Sequence, residues 1–461
     1  MYHSHVRKSV AGALAMVTAL ALVGQAEAEP RQLRCTFEQC LARAKKQSPL
    51  LAAARLGLDQ YESKLREAQS AWYPKFDISA FGTALPELKD GHDGSTPLQD
   101  YDFTKFGPLL VTSVSMGQTL FTFGKISTLK DMARQGVDIA RVTGRIAEDE
   151  MRFQLARAWW GLVLVAELRD LVADGKRLMQ EQREKIEKAR DEGDASFNQA
   201  DLAKLNVFSA DIEEKVRQFD RSRGQAEDGV RLALGESTEL AIEAAGELTP
   251  VVVPPLPMQQ IETLALANSP RLLAQRGGVQ VRLMQAQLAR NQFLPDLVLV
   301  ARYAYTYAPT RADTPDSLAT NPNNSATSGL GLALRWSLDP MRQLEKIDQA
   351  DLDAKQAALL EQGERAKLRM DVRQMYREMV DARAMIDVQE RAFKSARGWL
   401  SAENQAYEDG FQEFAEVLRA MEAYTRRRMT YAESIFNYTL AVAALSRAVG
   451  MDLTQLAEPG H

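Results

Sequence analysis

The sequence has few of the residues that build covalent or metal-bound frameworks. Only two cysteines and four histidines occur among 461 residues, which excludes a disulfide-rich scaffold and argues against a histidine-rich zinc site. The 27 glycines and 17 prolines are too few for a collagen-like or low-complexity chain. No nucleophile motif, glycine-rich phosphate loop or metal-ligand spacing occurs, so we predict neither an enzyme nor a cofactor.

Long apolar runs and an excess of positive charge are also absent. Beyond the N-terminus, no apolar stretch is long enough to span a bilayer as a helix. The formal net charge is −5, and this mild acidity argues against nucleic acid as a partner.

Residues 1–28 have the features of a secretory signal peptide. Arg7 and Lys8 form a basic start, an apolar run follows from Val10 to Gly24, and Ala26-Glu27-Ala28 fits a cleavage site. An N-terminal membrane anchor is the alternative, although the run is short for one. Export without a spanning helix leaves the periplasm, the outside medium, or an outer membrane crossed by strands.

The chain repeats itself with a period of about 220 residues. Ser48-Pro49 and Ser269-Pro270 each precede a further proline by the same spacing, and the stretches between share several residue types. We therefore predict two structural repeats, 29–248 and 259–461, joined by a proline-rich, non-helical linker at 249–258. Each repeat is predicted to run helix, strand, strand, long helical hairpin.

Four strands are predicted from the alternation of apolar and polar residues, at about 74–84, 111–122, 296–308 and 328–338. Their lengths suit tilted membrane-spanning strands, and a half-buried strand pair in a soluble domain is the alternative. Polar loops, Leu85–Pro108 and Pro309–Thr327, are expected to join each pair. The predicted apolar faces are Phe76, Ile78, Ala80 and Gly82; Val114, Met116 and Leu120; Leu297, Leu299, Ala301, Tyr303, Tyr305 and Tyr307; and Leu330, Leu332, Leu334, Trp336 and Leu338.

The remaining sequence is predicted to be long helix. No proline occurs between Gly124 and Asp191, and Gly193 and Gly410 are predicted to mark the tips of two hairpins. Apolar residues at alternating spacings of three and four predict seams of the coiled-coil type. These are Leu155, Trp159, Leu162 and Ala166 in the first repeat, and Leu368, Val372, Met375, Met379, Ala382 and Ile386 in the second.

Local signals predict several helix starts. Thr36 and Gln39 fit a capping box. Ser48 and Ser269 are predicted N-caps, because proline follows each at the first helical position. Whether Cys35 and Cys40 are bridged stays open. A periplasm permits a disulfide, but residues five apart within one helix are usually too distant for one.

The order of these landmarks resembles the TolC family of outer-membrane efflux proteins. The resemblance extends over about 420 residues. Two departures are Thr119, where the family usually has proline, and the irregular Asp339-Pro340. The resemblance to the family depends on Ser48-Pro49, Trp72-Tyr73-Pro74, Leu120-Phe121-Thr122-Phe123-Gly124 and Gly193–Leu202, with their counterparts Ser269-Pro270, Phe293-Leu294-Pro295, Leu338-Asp339-Pro340 and Gly410–Leu418.

The resemblance implies a homotrimer in the outer membrane, with a 12-stranded β-barrel on a 12-helix α-barrel that extends through the periplasm. It implies a passive exit duct of a tripartite efflux or type I secretion system, served by an inner-membrane pump through a periplasmic adaptor protein. Independently, four strands are too few to close a barrel, and open edges are costly in hydrocarbon, so three chains are expected to share one. A soluble periplasmic coiled-coil adaptor or structural protein is the alternative.

The hairpin tips supply candidate gate residues. In TolC-like proteins, acidic residues just after the second tip glycine surround the closed entrance, and Glu416 aligns with the first of these. Arg419 replaces the second acid and is expected to pair with Glu416 or with Asp201. Solvated helix ends are the alternative reading. The full candidate gate is Glu416, Arg419, Asp191, Asp194 and Asp201.

Overall fold

The computed structural model describes residues 32–88, 101–193, 199–236, 240–310 and 324–457. The predicted signal peptide therefore lies outside the described residues. The chain divides into two compact units. The helical unit comprises the described residues up to Ala52, together with Glu148–Ile261 and the chain from Val372 onward, and the sheet unit comprises Ala53–Ala147 and Glu262–Asp371.

Helices and strands follow the predicted order twice along the chain, except that each half opens with a short strand that was not predicted. The first half contains β1 (Gln32–Cys35), α1 (Phe37–Gln47), α2 (Pro49–Ser70), β2 (Lys75–Leu88), β3 (Tyr101–Phe121), α3 (Lys125–Asp191) and α4 (Gln199–Leu234). The second half contains β4 (Ala241–Ala244), α5 (Met258–Asn268), α6 (Pro270–Asn291), β5 (Asp296–Tyr307), β6 (Ser325–Arg335), α7 (Pro340–Glu408) and α8 (Phe414–Val449). The predicted mainly helical fold with a tandem repeat is confirmed.

The sheet unit contains a four-stranded antiparallel sheet in the order β2-β3-β5-β6. Directly paired residues share a face of a sheet. The register places Phe76 opposite Met116, Met116 opposite Ala301, and Ala301 opposite Leu330. The apolar faces that were predicted strand by strand thus combine into one continuous apolar face.

Leu120 departs from its predicted face. The pairing of β3 with β5 is regular up to Thr119 and then shifts, so that Phe121, not Leu120, lies opposite Leu297. Such a bulge adds one residue to one strand and reverses the side-chain alternation beyond it. The prediction for Leu120 was wrong because the bulge is a property of the strand pair.

The first predicted loop, Leu85–Pro108, was wrong in part. β2 continues to Leu88 and β3 already begins at Tyr101, and Pro108 pairs with Ala84 within the strands. Proline usually ends a strand because it lacks an N–H donor. Here β5 pairs with β3 only from Leu110 onward, so Pro108 lies where β3 has a single neighbour and the lost donor is tolerated.

The last strand ends earlier than its predicted limit near 338. β6 stops at Arg335, and the indole Nε1 of Trp336 donates a hydrogen bond to the carbonyl of Phe293 at 3.0 Å. Asp339 then accepts a hydrogen bond from the backbone N–H of Arg342 at 3.4 Å. This contact caps α7 and turns the chain from strand to helix.

The helical unit is held together by apolar side chains at helical spacing. The predicted seam of α7 is confirmed. Leu368, Val372 and Ile386 are buried, and the seam residues Met375, Met379 and Ala382 are half-buried. Within the helical unit, Ile386 packs with Ile435 and other residues of α8. A second core joins α3, α4 and α8 through Val165, Leu168, Val172, Leu205, Ile212, Phe219, Phe414, Val417, Leu418 and Met421.

The predicted seam of α3 holds only in part. Leu155, Trp159 and Leu162 are buried, but Ala166 is exposed and Val165 takes the core position. A helix has 3.6 residues per turn, so a stripe drifts unless supercoiling corrects it, and the larger Val165 buries more apolar surface than Ala166.

Of the predicted helix caps, the one at Thr36 is confirmed and the one at Ser269 is not. The capping box is confirmed, because Gln39 N–H donates to Thr36 Oγ1 and Thr36 N–H donates to Gln39 Oε1. Ser269 stands at the N-cap of α6 before proline, but its side chain makes no capping hydrogen bond, so that prediction was wrong in its mechanism. The Ser269 carbonyl begins the helix by accepting the N–H of Leu273 at 3.0 Å.

Cys35 and Cys40 form a disulfide. Cys35 ends β1 and lies outside α1, which brings the two Cα atoms to 5.8 Å, within the range for a bridge. The Cys35 carbonyl accepts a hydrogen bond from Trp159 Nε1 at 3.2 Å. The disulfide and this hydrogen bond together attach the start of the described chain to α3.

Candidate functional site

The described residues contain neither a spanning helix nor a metal site. Within the described ranges, no helix combines the length and apolarity needed to cross a bilayer. The same ranges contain no group of three or more His, Cys, Asp or Glu side chains that could hold a metal ion. The candidate functional features of the described chain are the two hairpin tips and the two faces of the sheet.

Both hairpin tips turn at the predicted glycines. Gly193 has a φ of 70° and Gly410 a φ of 76°, a left-handed conformation that glycine adopts without a steric cost. At the second tip, the N–H of Gly410 donates to the carbonyl of Tyr407 at 3.0 Å, and the N–H of Phe411 donates to that of Ala406 at 2.8 Å. These bonds close the end of α7 and reverse the chain into α8.

Arg419 pairs with Glu416, one of its two predicted partners. The guanidinium Nη2 lies 2.8 Å from Glu416 Oε1, and the two side chains are 66% and 29% exposed, respectively. Asp201, the other predicted partner, instead pairs with Lys204 at 3.1 Å. Each acid is therefore paired with a base on its own helix.

The remaining gate candidates lie at the first tip. Asp191 pairs with the adjacent Arg190 at 3.1 Å and is well exposed, whereas Asp194 lies outside the described residues. Sequence reasoning missed Lys204 and Arg190 as partners, although a spacing of three along a helix was available as a signal for Lys204.

An apolar cluster fixes the start of α8 at the second tip. Phe414, Val417 and Leu418 are buried, and the rings of Phe414 and Tyr407 lie 5.7 Å apart. Glu416 and Arg419 are more exposed than these neighbours. The apolar residues therefore hold the charged pair at a fixed position on the surface of the helical unit.

The apolar face of the sheet is exposed, as a soluble core would not be. Leu330, Leu332 and Leu334 are 73%, 69% and 64% exposed, and Phe76 and Ile78 are exposed by similar fractions. A soluble monomer rarely shows a contiguous apolar patch of this kind. This face therefore needs an apolar environment from outside the chain.

The opposite face of the sheet carries the charges. In the part of the sheet that β5 and β6 span, every charged residue lies on the face that the leucines avoid. Sequence reasoning missed this segregation, although the same period of two that predicted the apolar faces was sufficient to find it. The charged residues are Lys75, Asp77, Asp296, Arg302 and Arg335.

Burial shifts the pKa values of two tyrosines in the core between α7 and α8. Desolvation raises the pKa of Tyr438 above its ordinary value of 10.0 and likewise raises the pKa of Tyr431. In the same unit, burial acts to lower the pKa of Arg428, but its hydrogen bond to Glu167 and its contact with Tyr424 outweigh that and raise it. The packing therefore favours the neutral phenols of the two tyrosines and the charged guanidinium of Arg428.

One family model matches most of the chain. The model of the family described as outer membrane efflux protein matches residues 40–236 and 263–451. A search of curated proteins found no relative with significant sequence similarity.

Solved structures show the same fold at low sequence identity. The outer membrane protein VceC from Vibrio cholerae is 17% identical, with a TM-score of 0.72 over 90% of this chain and 96% of that one. The Campylobacter jejuni CmeC outer membrane channel is 14% identical, with a TM-score of 0.74 over 90% and 85% of the two chains. The open state of the Neisseria gonorrhoeae MtrE outer membrane channel is 14% identical, with a TM-score of 0.73 over 92% and 90%.

Proposed function

The chain belongs to the outer membrane efflux protein family, and from that premise we propose that this outer-membrane channel is the passive exit duct of a tripartite efflux or type I secretion system. An inner-membrane pump supplies the energy, and a periplasmic adaptor protein connects the pump to the duct. The channel itself catalyses no reaction and needs no cofactor, because transport down an open path requires only a lumen.

The main support for this proposal is the separation of apolar and charged side chains onto opposite faces of the sheet. In the part of the sheet that β5 and β6 span, the leucines and most aromatic residues occupy one face, and the charged residues occupy the other, together with Phe81. Strands that separate lipid from a water-filled lumen have this arrangement. The soluble adaptor alternative would expose the same leucines to water with no compensating partner.

A homotrimer follows from the edges of the sheet. β2 and β6 are the outer strands, and the unpaired backbone groups of an outer strand cost several kcal/mol each in hydrocarbon. Pairing β6 of one chain with β2 of the next removes every edge when three chains close a 12-stranded barrel. We propose that the same threefold symmetry arranges the helices of the three chains into the predicted 12-helix periplasmic barrel.

We propose that the tips form the periplasmic gate. Threefold symmetry brings three Glu416–Arg419 pairs together at the entrance, with Asp191, Asp194 and Asp201 on the adjacent hairpin. An exposed pair of this kind contributes only about 0–1 kcal/mol. A gate built from several such pairs opens without a large energetic input, which suits a duct that is opened by its partner proteins.

Reconstitution in planar bilayers tests the duct. The purified protein should insert as a trimer and give stepwise ionic currents. Cell fractionation is the matched measurement, and the protein should be found in the outer membrane as an oligomer that dissociates on heating in detergent. Recovery as a soluble periplasmic monomer without channel activity would support the adaptor alternative instead.

A further inference from the structure

The charges on the polar face of the sheet do not cancel. Asp296 is engaged by Lys125, whose ammonium lies 2.8 Å from its carboxylate. Asp77 shares its strand and face with Lys75, two residues away, at about 7 Å. Each of the two acids thus has a lysine beside it, and Asp296 also lies directly opposite Arg335 in the register. Arg302 is left without an adjacent acid.

Arg302 is the more isolated of the two arginines. Among the described residues, no hydrogen bond or ion pair holds its guanidinium, and the side chain is exposed. In register it lies between Ser115 on β3 and Gly329 on β6. The nearest acid of its row, Asp77, is two strands away, at about 10 Å.

The neighbours of Arg302 leave room for a ligand. A Cβ atom added at Gly329 or Gly331 would meet no atom within 4 Å. One row further along the sheet, the hydroxyls of Ser79 and Ser113 lie 2.8 Å apart. The polar face therefore offers an uncompensated guanidinium in a surface of glycines and hydroxyls, and no bulky side chain covers it.

We propose that Arg302 forms an anion-binding ring in the lumen, through which solutes bearing carboxylate, phosphate or sulfate groups pass. The proposal rests on the proposed trimeric duct, since only threefold symmetry brings three copies of Arg302 around one lumen. A planar guanidinium binds such oxyanions through two parallel hydrogen bonds. A ring of like charges on a low-dielectric wall concentrates counter-ions in front of it.

The test is block of single-channel current in planar bilayers by inositol hexakisphosphate added to the extracellular side. The wild-type channel should be blocked reversibly, and Arg302→Gln should raise the half-blocking concentration by at least about fivefold, a change of roughly 1 kcal/mol. Arg302→Lys keeps the charge and should retain most of the block. Thr306→Gln is the matched control, because it places the same new side chain on the same strand and face without removing a charge.

A measurement on the wild type alone keeps the proposal testable if a variant fails to insert. Hexaamminecobalt(III) added to the same side should block far less than the anion does, and higher salt should weaken the anion block. Equal block of wild type and Arg302→Gln by the anion, or stronger block by the cation, overturns the anion ring. Absence of channels from the wild type would instead reject the proposed duct.

Discussion

Leucine occupies opposite environments in the two units. Leu445 in α8 of the helical unit is 0% exposed, whereas Leu332 in β6 of the sheet unit is 69% exposed. The same side chain cannot favour both positions in water, because burial of a leucine contributes roughly 1.5–3 kcal/mol. The helical unit forms its core within the chain, and the sheet unit takes its apolar environment from lipid.

Charged residues show the same difference. On the helices, charged residues lie mainly at the surface, and several pair with neighbours three or four residues away, as Arg419 does with Glu416. In the part of the sheet that β5 and β6 span, the charges lie on one face, and Arg302 has no partner among the described residues. The helical unit thus has a surface suited to water, whereas the sheet has one face suited to lipid and one suited to water.

The largest expected effect is a cavity in the helical core. Leu445→Ala should lower the free energy of unfolding by roughly 2–5 kcal/mol, because the helices cannot refill the space. Leu332→Ala is the matched control and should cost much less, since lipid or detergent occupies the vacated volume. Thermal unfolding of the purified trimer in detergent measures both. Equal losses of stability at the two positions would contradict the comparison.

The second-largest effect is expected from a charged side chain introduced on the apolar face of the sheet. Leu332→Arg should cost about 2–4 kcal/mol near the middle of the bilayer and reduce insertion. Ala333→Arg places the same side chain one residue along, on the lumen face, and should insert normally. The yield of folded trimer in outer-membrane fractions measures the difference, and equal yields would reject the assigned faces.

The gate should give a smaller energetic effect with a clear functional result. Arg419→Glu removes the Glu416 pair and adds like charge, so it should loosen the entrance and raise single-channel conductance while the trimer still assembles. Glu416→Gln should weaken block by trivalent cations from the periplasmic side. If both variants conduct and respond to cations as the wild type does, the tips are solvated helix ends and form no gate.

The smallest effect should appear only in alkali. Because burial raises the folded-state pKa of Tyr438 above 10.0, the unfolded chain loses its proton first as the pH increases. The stability from the neutral phenol is complete below about pH 10 and declines as the pH increases through the raised pKa. Tyr438→Phe should flatten this decline in thermal unfolding between pH 9 and 11. An unchanged pH dependence would show that Tyr438 does not contribute to it.

The sequence was sufficient to predict features that depend on a single element. The seam of α7, the glycine tips, the capping box at Thr36 and the apolar faces each follow from the period of one helix or strand, and the predicted family is confirmed. The exact limits of the two repeats, 29–248 and 259–461, and the linker at 249–258 stay predictions.

Features that depend on pairing between elements escaped prediction. The bulge that displaces Leu120 arises between β3 and β5, and the extension of β2 past Leu85 depends on Pro108 having one neighbouring strand. The bridge between Cys35 and Cys40 depended on where β1 ends. The isolation of Arg302 emerged only when the register showed which charges were already offset.

Cysteine labelling along β6 in intact outer membranes tests the central claim most directly. The two native cysteines are bridged and buried, so single cysteines introduced at 329–334 report without further changes. A charged, membrane-impermeant thiol reagent should label the lumen positions Gly329, Gly331 and Ala333 after substitution, and should fail to label Leu330, Leu332 and Leu334. Equal labelling of both sets would show that the leucines face water, and the account of the sheet as a lipid-facing channel wall would be wrong.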